Sequence, residues 1–433
     1  MKKWLTGLLT LTLGVGLIGC AGQEQPNNTA EEPGSAGGEK VLLKFATWGN
    51  PAQLELYKGL TDTFTQQHPN IEVQIDTIPF ADYQQKMSVL AAGRELPDIA
   101  WVSERMVPQF MANDILADVS DIVQDEAFDS ADIIPSTLEL FRQDGKLYGL
   151  PFSTPPSVVF YNEDLFKQAG LSTPNELAEK GEWTWEKFEE AAKAIKTSAA
   201  SPNVYGANFF RDWKTWIILA SYSWSNGSGP FNPEMTEYTW NDQYGVATLE
   251  MLKRMMFTDG SHPKAGEQVN FESGQIGMIF DNYSFVSKAR EIQNFQWSIA
   301  PMPSGSKGSV PMMGQAGYVL FKDGKHPEEA KELLKFLAGK EGVQKTSAFF
   351  VPPRQSVLNS EEFLNVEGNP DAGHIKQAVI DEMPKAVVQP GHIRWQNIDT
   401  EILTGFDALF AGRSEPQQIQ DEVKSKVDAL LSK

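Results

Sequence analysis

The sequence predicts an α/β protein with more than one domain. Three observations carry this reading. Strand, helix, strand, helix and strand alternate over Val41–Val102, the pattern of a mainly parallel sheet. The chain has 433 residues, more than one simple core organises, so two domains are the default. Finally, Pro- or Gly-rich breaks fall at Leu150–Pro156, Ala300–Gly308 and Val351–Arg354. These are either loops or three passages of the chain between two domains.

At the amino end, Lys2 and Lys3 precede an apolar run from Leu5 to Ile18, too short for a permanent membrane helix. Leu17-Ile18-Gly19-Cys20 has the form of a bacterial lipobox, and Cys20 is the sole cysteine. The expectation is a lipoprotein signal peptide over 1–19, cleavage before Cys20, and acylation of that cysteine. At least two acyl chains are needed for a stable anchor. Ala21–Lys40 contains no aromatic, Leu, Ile, Val or Met. Residues 20–40 are therefore expected to form a flexible, lipid-anchored tether reaching on the order of 25 Å.

Val41–Trp48 reads as a largely apolar strand, expected to be buried on both faces. Asn50-Pro51 supplies an N-cap and first helical position. Leu54, Tyr57, Leu60 and Phe64 follow at helical spacing, ending near His68-Pro69. Ile71, Val73 and Ile75 alternate as a second strand. A second helix carries Tyr83, Met87 and Leu90 and closes at Gly93, and Asp98–Val102 is a third strand. Further on, Thr184 caps a helix running through Lys196. Pro327 opens another, with Glu328 and Glu329 in its first turn, Lys335 late and Gly339 at its end, charges that suit the helix dipole.

The formal charge of −20, from 37 basic and 57 acidic residues, would repel phosphate backbones, which excludes nucleic acid as a partner. It also leaves the lipid anchor as the membrane contact. With Cys20 consumed, no disulfide, thiolate catalyst or cysteine metal site remains. Gly14–Gly19 matches GxGxxG but lies in the signal peptide with no strand before it. No Walker A motif and no GxSxG occur, and the five histidines are scattered without metal spacing. Neither a cofactor nor a metal is expected. A carboxylate pair for acid/base chemistry stays open, since many acidic residues could pair. The positive signal is aromatic: 11 Trp, 10 Tyr and 25 Phe, several beside turns and polar groups. Sugars have an apolar C–H face and a hydroxyl rim, so their sites need flat aromatic platforms with planar polar neighbours.

Seven short pieces, taken in order, are the basis of a resemblance: Phe64–Pro69, Leu96–Ile99, Gly145–Pro151, Tyr161–Phe166, Ala169–Leu171 with Trp183–Trp185, Phe271–Gly274 and His326–Ala330. From about Val41 onward the chain resembles the extracellular solute-binding proteins of sugar-importing ABC transporters, family 1, the group of maltose-binding protein. The resemblance implies a type II periplasmic-binding-protein-like fold: two α/β lobes with mixed sheets, joined by a hinge, with a ligand cleft between them. The N-terminal lobe would comprise 41–152 plus 302–352, and the C-terminal lobe 153–301 plus 353–433. Matching positions imply ligand contacts at Trp48, Asn50, Ser103, Glu104, Arg105, Trp213, Trp216, Asp281 and Tyr283, with weaker matches at Gln315, Arg354 and Trp395. Asn282-Tyr283-Ser284 departs from the family's Gly-x-Trp, and Asn226–Gly229 from its Gly-Gly. Plainer roles compete: Asn50 as a helix cap, Glu104 with Arg105 as a surface pair, Trp216 as core.

The implied function is a non-enzymatic one. The chain would capture a sugar, expected to be an oligosaccharide, at the outer face of the bacterial cell membrane and deliver it to permease subunits. It is expected to be a monomer. The alternative is a cell-surface carbohydrate hydrolase using a carboxylate pair.

Overall fold

The computed structural model describes residues 40–210 and 216–432. Cys20, the tether before Lys40 and Trp213 lie outside them. The opening alternation is present as β1 (Val41–Thr47), α1 (Pro51–Gln67), β2 (Ile71–Thr77), α2 (Phe80–Gly93) and β3 (Ile99–Ser103). Asn50 Oδ1 accepts the Gln53 N–H and Gln53 Oε1 accepts the Asn50 N–H, both at 2.9 Å, a complete capping box. Pro51 follows at the first turn, where a missing N–H costs nothing. Tyr57, Leu60 and Phe64 are buried on one helical face.

β1 departs from the expected double burial. Val41, Leu43 and Phe45 are buried, whereas Leu42 and Lys44 are exposed. β3, in the middle of the same sheet, is buried at every residue.

The chain continues through β4 (Leu150–Ser153), β5 (Ser157–Asn162), α3 (Trp185–Ser198), β6 (Tyr205–Ala207), α4 (Gln243–Lys253), β7 (Ile276–Asn282), β8 (Trp297–Ala300), β9 (Ala316–Leu320), α5 (Pro327–Ala338), α6 (Trp395–Phe410) and α7 (Pro416–Leu431). Two principal sheets result. The first is ordered β2-β1-β3-β9-β4, with β1 parallel to β2 and β3, and β9 antiparallel to β3 and β4. The second is ordered β8-β5-β7-β6, with β5 antiparallel to both its neighbours and β6 parallel to β7. Both are mixed.

Each sheet has its own core. Around the first, Trp101 meets Phe45, Trp48 and Tyr57 edge-on, and the buried Tyr57 and Tyr318 hydroxyls hydrogen-bond to each other. The second sheet is covered on both faces. Successive strand residues alternate, so Tyr161, Met278 and Phe280 join a core with Trp216, Trp240 and Trp395, while Phe160 and Ile279 join another with Tyr283 and Phe363. Gly206 marks close packing of β6 on α3: a Cβ there would sit 1.8 Å from the Ala192 carbonyl oxygen.

The chain passes between the sheets three times. Thr154–Pro156 link β4 to β5, and the Thr154 N–H donates to Val351 O at 3.1 Å, tying this link to the third passage. That third passage falls at Phe350–Val351, where neighbouring residues enter different cores. The return lies later than the Ala300–Gly308 break. Trp183 Nε1–H donates to Pro301 O, and Ser304 N–H to Trp183 O. Met312 and Met313 then pair with Val387 and Val388. Residues 301–313 thus stay beside the second sheet, and the chain rejoins the first at Ala316. The glycines of the break serve a local turn, bridged between Gly305 and Gly308.

Candidate functional site

A pocket of about 260 Å³ opens where these passages meet the carboxyl ends of β1 and β3, the end at which open α/β sheets receive ligands. One wall is apolar: Trp48, Phe80, Phe152, Pro155 and Phe350. The polar lining is Gln53, Ser103, Glu104, Ser153, Asn282, Ser284 and Gln315. Residues from both sheets and all three passages contribute. A roomier hollow of about 770 Å³ runs past Leu42, Lys44 and Arg94–Asp98. It runs along β1, touches one sheet only and has no residue of the linking passages in its lining, so the smaller pocket is the better candidate.

The half-buried Trp48 ring is fixed by three edge-on neighbours: Phe80 at 5.5 Å, Tyr83 at 4.9 Å and Trp101 at 5.2 Å. Glu104 follows β3 and is held against the returning chain. Its N–H donates to Gln315 O, and its Oε2 accepts the Gln315 N–H, each at 3.0 Å. Burial pushes the Glu104 carboxyl above its ordinary range, while Arg105 and the Gln315 N–H pull it back. The Gln315 Nε2 donates to Thr137 O, which fixes the carboxamide orientation. Its Oε1, like Asn282 Oδ1, is buried without a hydrogen-bond partner.

Arg105 extends the site. Its Nε lies 3.8 Å from Glu104 Oε1 and its Nη1 3.9 Å from Asp399 Oδ2 on α6. Asp399 also accepts the Trp216 Nε1–H at 2.8 Å. Burial raises the Asp399 carboxyl, and Arg105 and Trp216 oppose that rise. Trp216 and Trp395 stack at 6.2 Å and 15° between ring planes, both buried. They back Asp399 from the core and do not line the pocket.

Of the residues named from sequence, Trp48, Ser103, Glu104 and Gln315 line the pocket, and Arg105 adjoins it. Asn50 is the helix cap described above. Asp281 is half-buried at the end of β7, its carboxylate accepting the Asn282 N–H at 2.8 Å. Tyr283 faces the core beyond, packed on Phe363 with its hydroxyl accepting from Asn369 Nδ2 at 3.3 Å. Arg354 is wholly buried away from the pocket. Its Nε, Nη1 and Nη2 donate to the carbonyls of Ala338, Asp129 and Phe128, it pairs with Asp132 at 3.6 Å, and it lies over the Phe128 ring. With its donors directed to protein oxygens, Arg354 ties segments of the fold together rather than facing a ligand.

Sequence reasoning missed Gln53, Phe80, Phe152, Asn282, Ser284 and Phe350. Three of these had a readable signal. Gln53 is one turn from Asn50. Asn282 and Ser284 flank Tyr283, so side chains pointing to the other face were available there.

The geometry defines a class: a protein of two mixed α/β sheets, with a small aromatic and polar pocket where the linking segments cross. The comparisons name the family. The profile described as bacterial extracellular solute-binding protein matches residues 48–344, and the chain belongs to that family. The arabinooligosaccharide-binding protein of Bacillus subtilis (strain 168) is 26% identical over 385 residues, covering 84% of this chain and 83% of that one. The sn-glycerol-3-phosphate-binding periplasmic protein of Pectobacterium atrosepticum is 22% identical, covering 86% and 87%. The crystal structure of an ABC substrate-binding protein from Listeria monocytogenes, in complex with cycloalternan, superposes with a TM-score of 0.79 at 22% identity, over 90% of this chain and 99% of that one. The fold is that of the type II periplasmic binding proteins. Among the described residues no helix is long and apolar enough to cross a membrane.

Proposed function

We propose that this chain captures a sugar, expected to be an oligosaccharide, in the pocket at Trp48, Glu104 and Gln315, and presents it to the permease subunits of an ABC importer. The observation that carries the reading is the pocket itself: an aromatic wall facing planar polar groups, set where three chain passages join two sheets. It suits the apolar face and hydroxyl rim of a sugar ring. The Bacillus relative named for arabinooligosaccharides and the Listeria structure in complex with cycloalternan support the same class.

The proposal includes two lobes, each built on one sheet, that close over the ligand about the crossing segments. It also includes a monomeric body held at the outer membrane face by acylated Cys20 and the tether to Lys40. Binding without hydrolysis is supported by the lining. Among the described residues, Glu104 is the one carboxylate of the pocket, and it is bonded to the Gln315 N–H. A hydrolase would need a second, opposed carboxylate.

The test is thermal-shift screening of the purified chain against oligosaccharides, followed by calorimetry and analysis of the recovered ligand. A ligand at 100 times its Kd stabilises by about 2.7 kcal/mol. Saturable binding with the saccharide recovered intact is expected. Release of reducing ends would overturn the binding reading in favour of hydrolysis.

A further inference from the structure

The one charged group among the described lining residues of the pocket is an anion, and its chemistry discriminates by charge. Resting on the solute-binding reading of this same pocket, we infer that it admits the uncharged, hydroxyl-bearing part of a ligand and rejects phosphate and carboxylate groups. One relative is named for sn-glycerol 3-phosphate, so the family alone does not decide the matter.

Four observations carry the inference. Among the described lining residues the single charged side chain is Glu104, an anion; none is Lys, Arg or His. An incoming phosphate or carboxylate would meet like charge, with no cation among the described lining residues to offset it. The adjacent guanidinium, Arg105, is shared between Glu104 and Asp399.

The second observation concerns backbone donors. A helix N-terminus is a ready anion site, and α1 begins at this pocket, with Gln53 in its lining. There, however, the Asn50 and Gln53 N–H groups are taken by the reciprocal capping box. Third, the N–H groups of Glu104 and Gln315, which flank the pocket, are bonded to each other's oxygens.

The fourth is the polarity of two buried carboxamide oxygens. Gln315 Oε1 and Asn282 Oδ1 are buried at this wall without partners, and the Gln315 amide cannot offer its nitrogen instead, because Nε2 is bonded to Thr137 O. Carboxamide and carboxylate oxygens accept and do not donate. Sugar hydroxyls donate to them; ionised phosphate and carboxylate oxygens cannot.

The experiment pairs neutral and anionic ligands on the full mature chain. Arabinotriose, maltotriose and other neutral oligosaccharides are titrated calorimetrically beside maltose 6′-phosphate, a glucuronate-terminated disaccharide and sn-glycerol 3-phosphate, at fixed pH and salt. The neutral member of a matched pair should bind at least 100-fold tighter, which corresponds to about 2.8 kcal/mol. Glu104→Gln should narrow that ratio tenfold or more, whatever it does to absolute affinity. Equal or tighter binding of the anionic member overturns the charge discrimination and leaves the sugar-binding reading standing. Binding of glycerol phosphate with no saccharide bound overturns both. An unchanged ratio in Glu104→Gln removes Glu104 as the source of the discrimination. If that variant does not fold, the wild-type ratio decides the question by itself.

Discussion

Arg354 shows how one residue type supports two readings that only its surroundings separate. As a sequence match it was a cleft residue; in the fold its guanidinium bonds three carbonyls and faces Asp132 in a fully buried position. Removing one partner of such a cluster leaves buried polar groups unpaired, at a cost of about 3–5 kcal/mol. Arg354→Met should therefore lower the thermal midpoint sharply while affinity per folded molecule stays near wild type. Calorimetry and a melting curve on the same sample check this. Lost affinity with an unchanged midpoint would return Arg354 to the site. The opposite lesson comes from Glu104. It reads on paper as half of a surface pair with Arg105, yet it is buried and bridges β3 to the returning chain through Gln315.

Segments inherit their function from what holds them in place. The chain leading toward Trp213 is fixed by buried His262, whose Nε2 accepts the N–H groups of Phe209 and Phe210 at 3.2 and 3.3 Å. Its Nδ1 donates to Pro263 O at 2.7 Å. Burial lowers this imidazole to about 4 from its ordinary 6.5, with the Pro263 carbonyl and Glu267 opposing. Between those values the unfolded chain binds a proton that the folded chain does not, so stability rises with pH. The contribution is complete above pH 6.5 and is lost as pH falls toward 4, by up to about 3 kcal/mol. His262→Gln should flatten that part of the stability-versus-pH curve relative to wild type. Parallel denaturant titrations at pH 7, 5.5 and 4.5 measure it. An identical slope in both proteins would show that other groups set the acid sensitivity.

At the scale of the molecule, the proposed lobes communicate through the three passages and the Arg105–Asp399 contact. If the lobes close on ligand, small-angle scattering should give a smaller radius of gyration at saturation than without ligand. An unchanged radius in both wild type and Asp399→Asn, which releases Arg105, would sink the hinge. The ligand must bind the closed form more tightly for any such shift to occur. Anchoring is tested separately: Cys20→Ala should move the protein from the membrane fraction to the medium and abolish incorporation of labelled acyl chains. Wild-type retention of an unlabelled variant would count against the lipid anchor.

What the sequence determined by itself is local. Asn50-Pro51 and Thr184 cap helices because a short side-chain oxygen meets free N–H groups within a few residues. The strand alternation of β1–α1–β2–α2–β3 follows from the period of apolar residues. Trp48, Ser103 and Glu104 were named from positions matching the family, and they lie together at the carboxyl ends of β1 and β3. Tertiary structure decided what depends on distant partners. Which residue at the end of β7 faces the pocket, Asn282 rather than Tyr283, turns on the strand's register against β5. Phe80, Phe152 and Phe350 converge from elements far apart in the chain. Trp216 and Trp395 became core because they stack on each other across nearly the whole C-terminal half. Burial is set by packing between segments, and no local spacing encodes it.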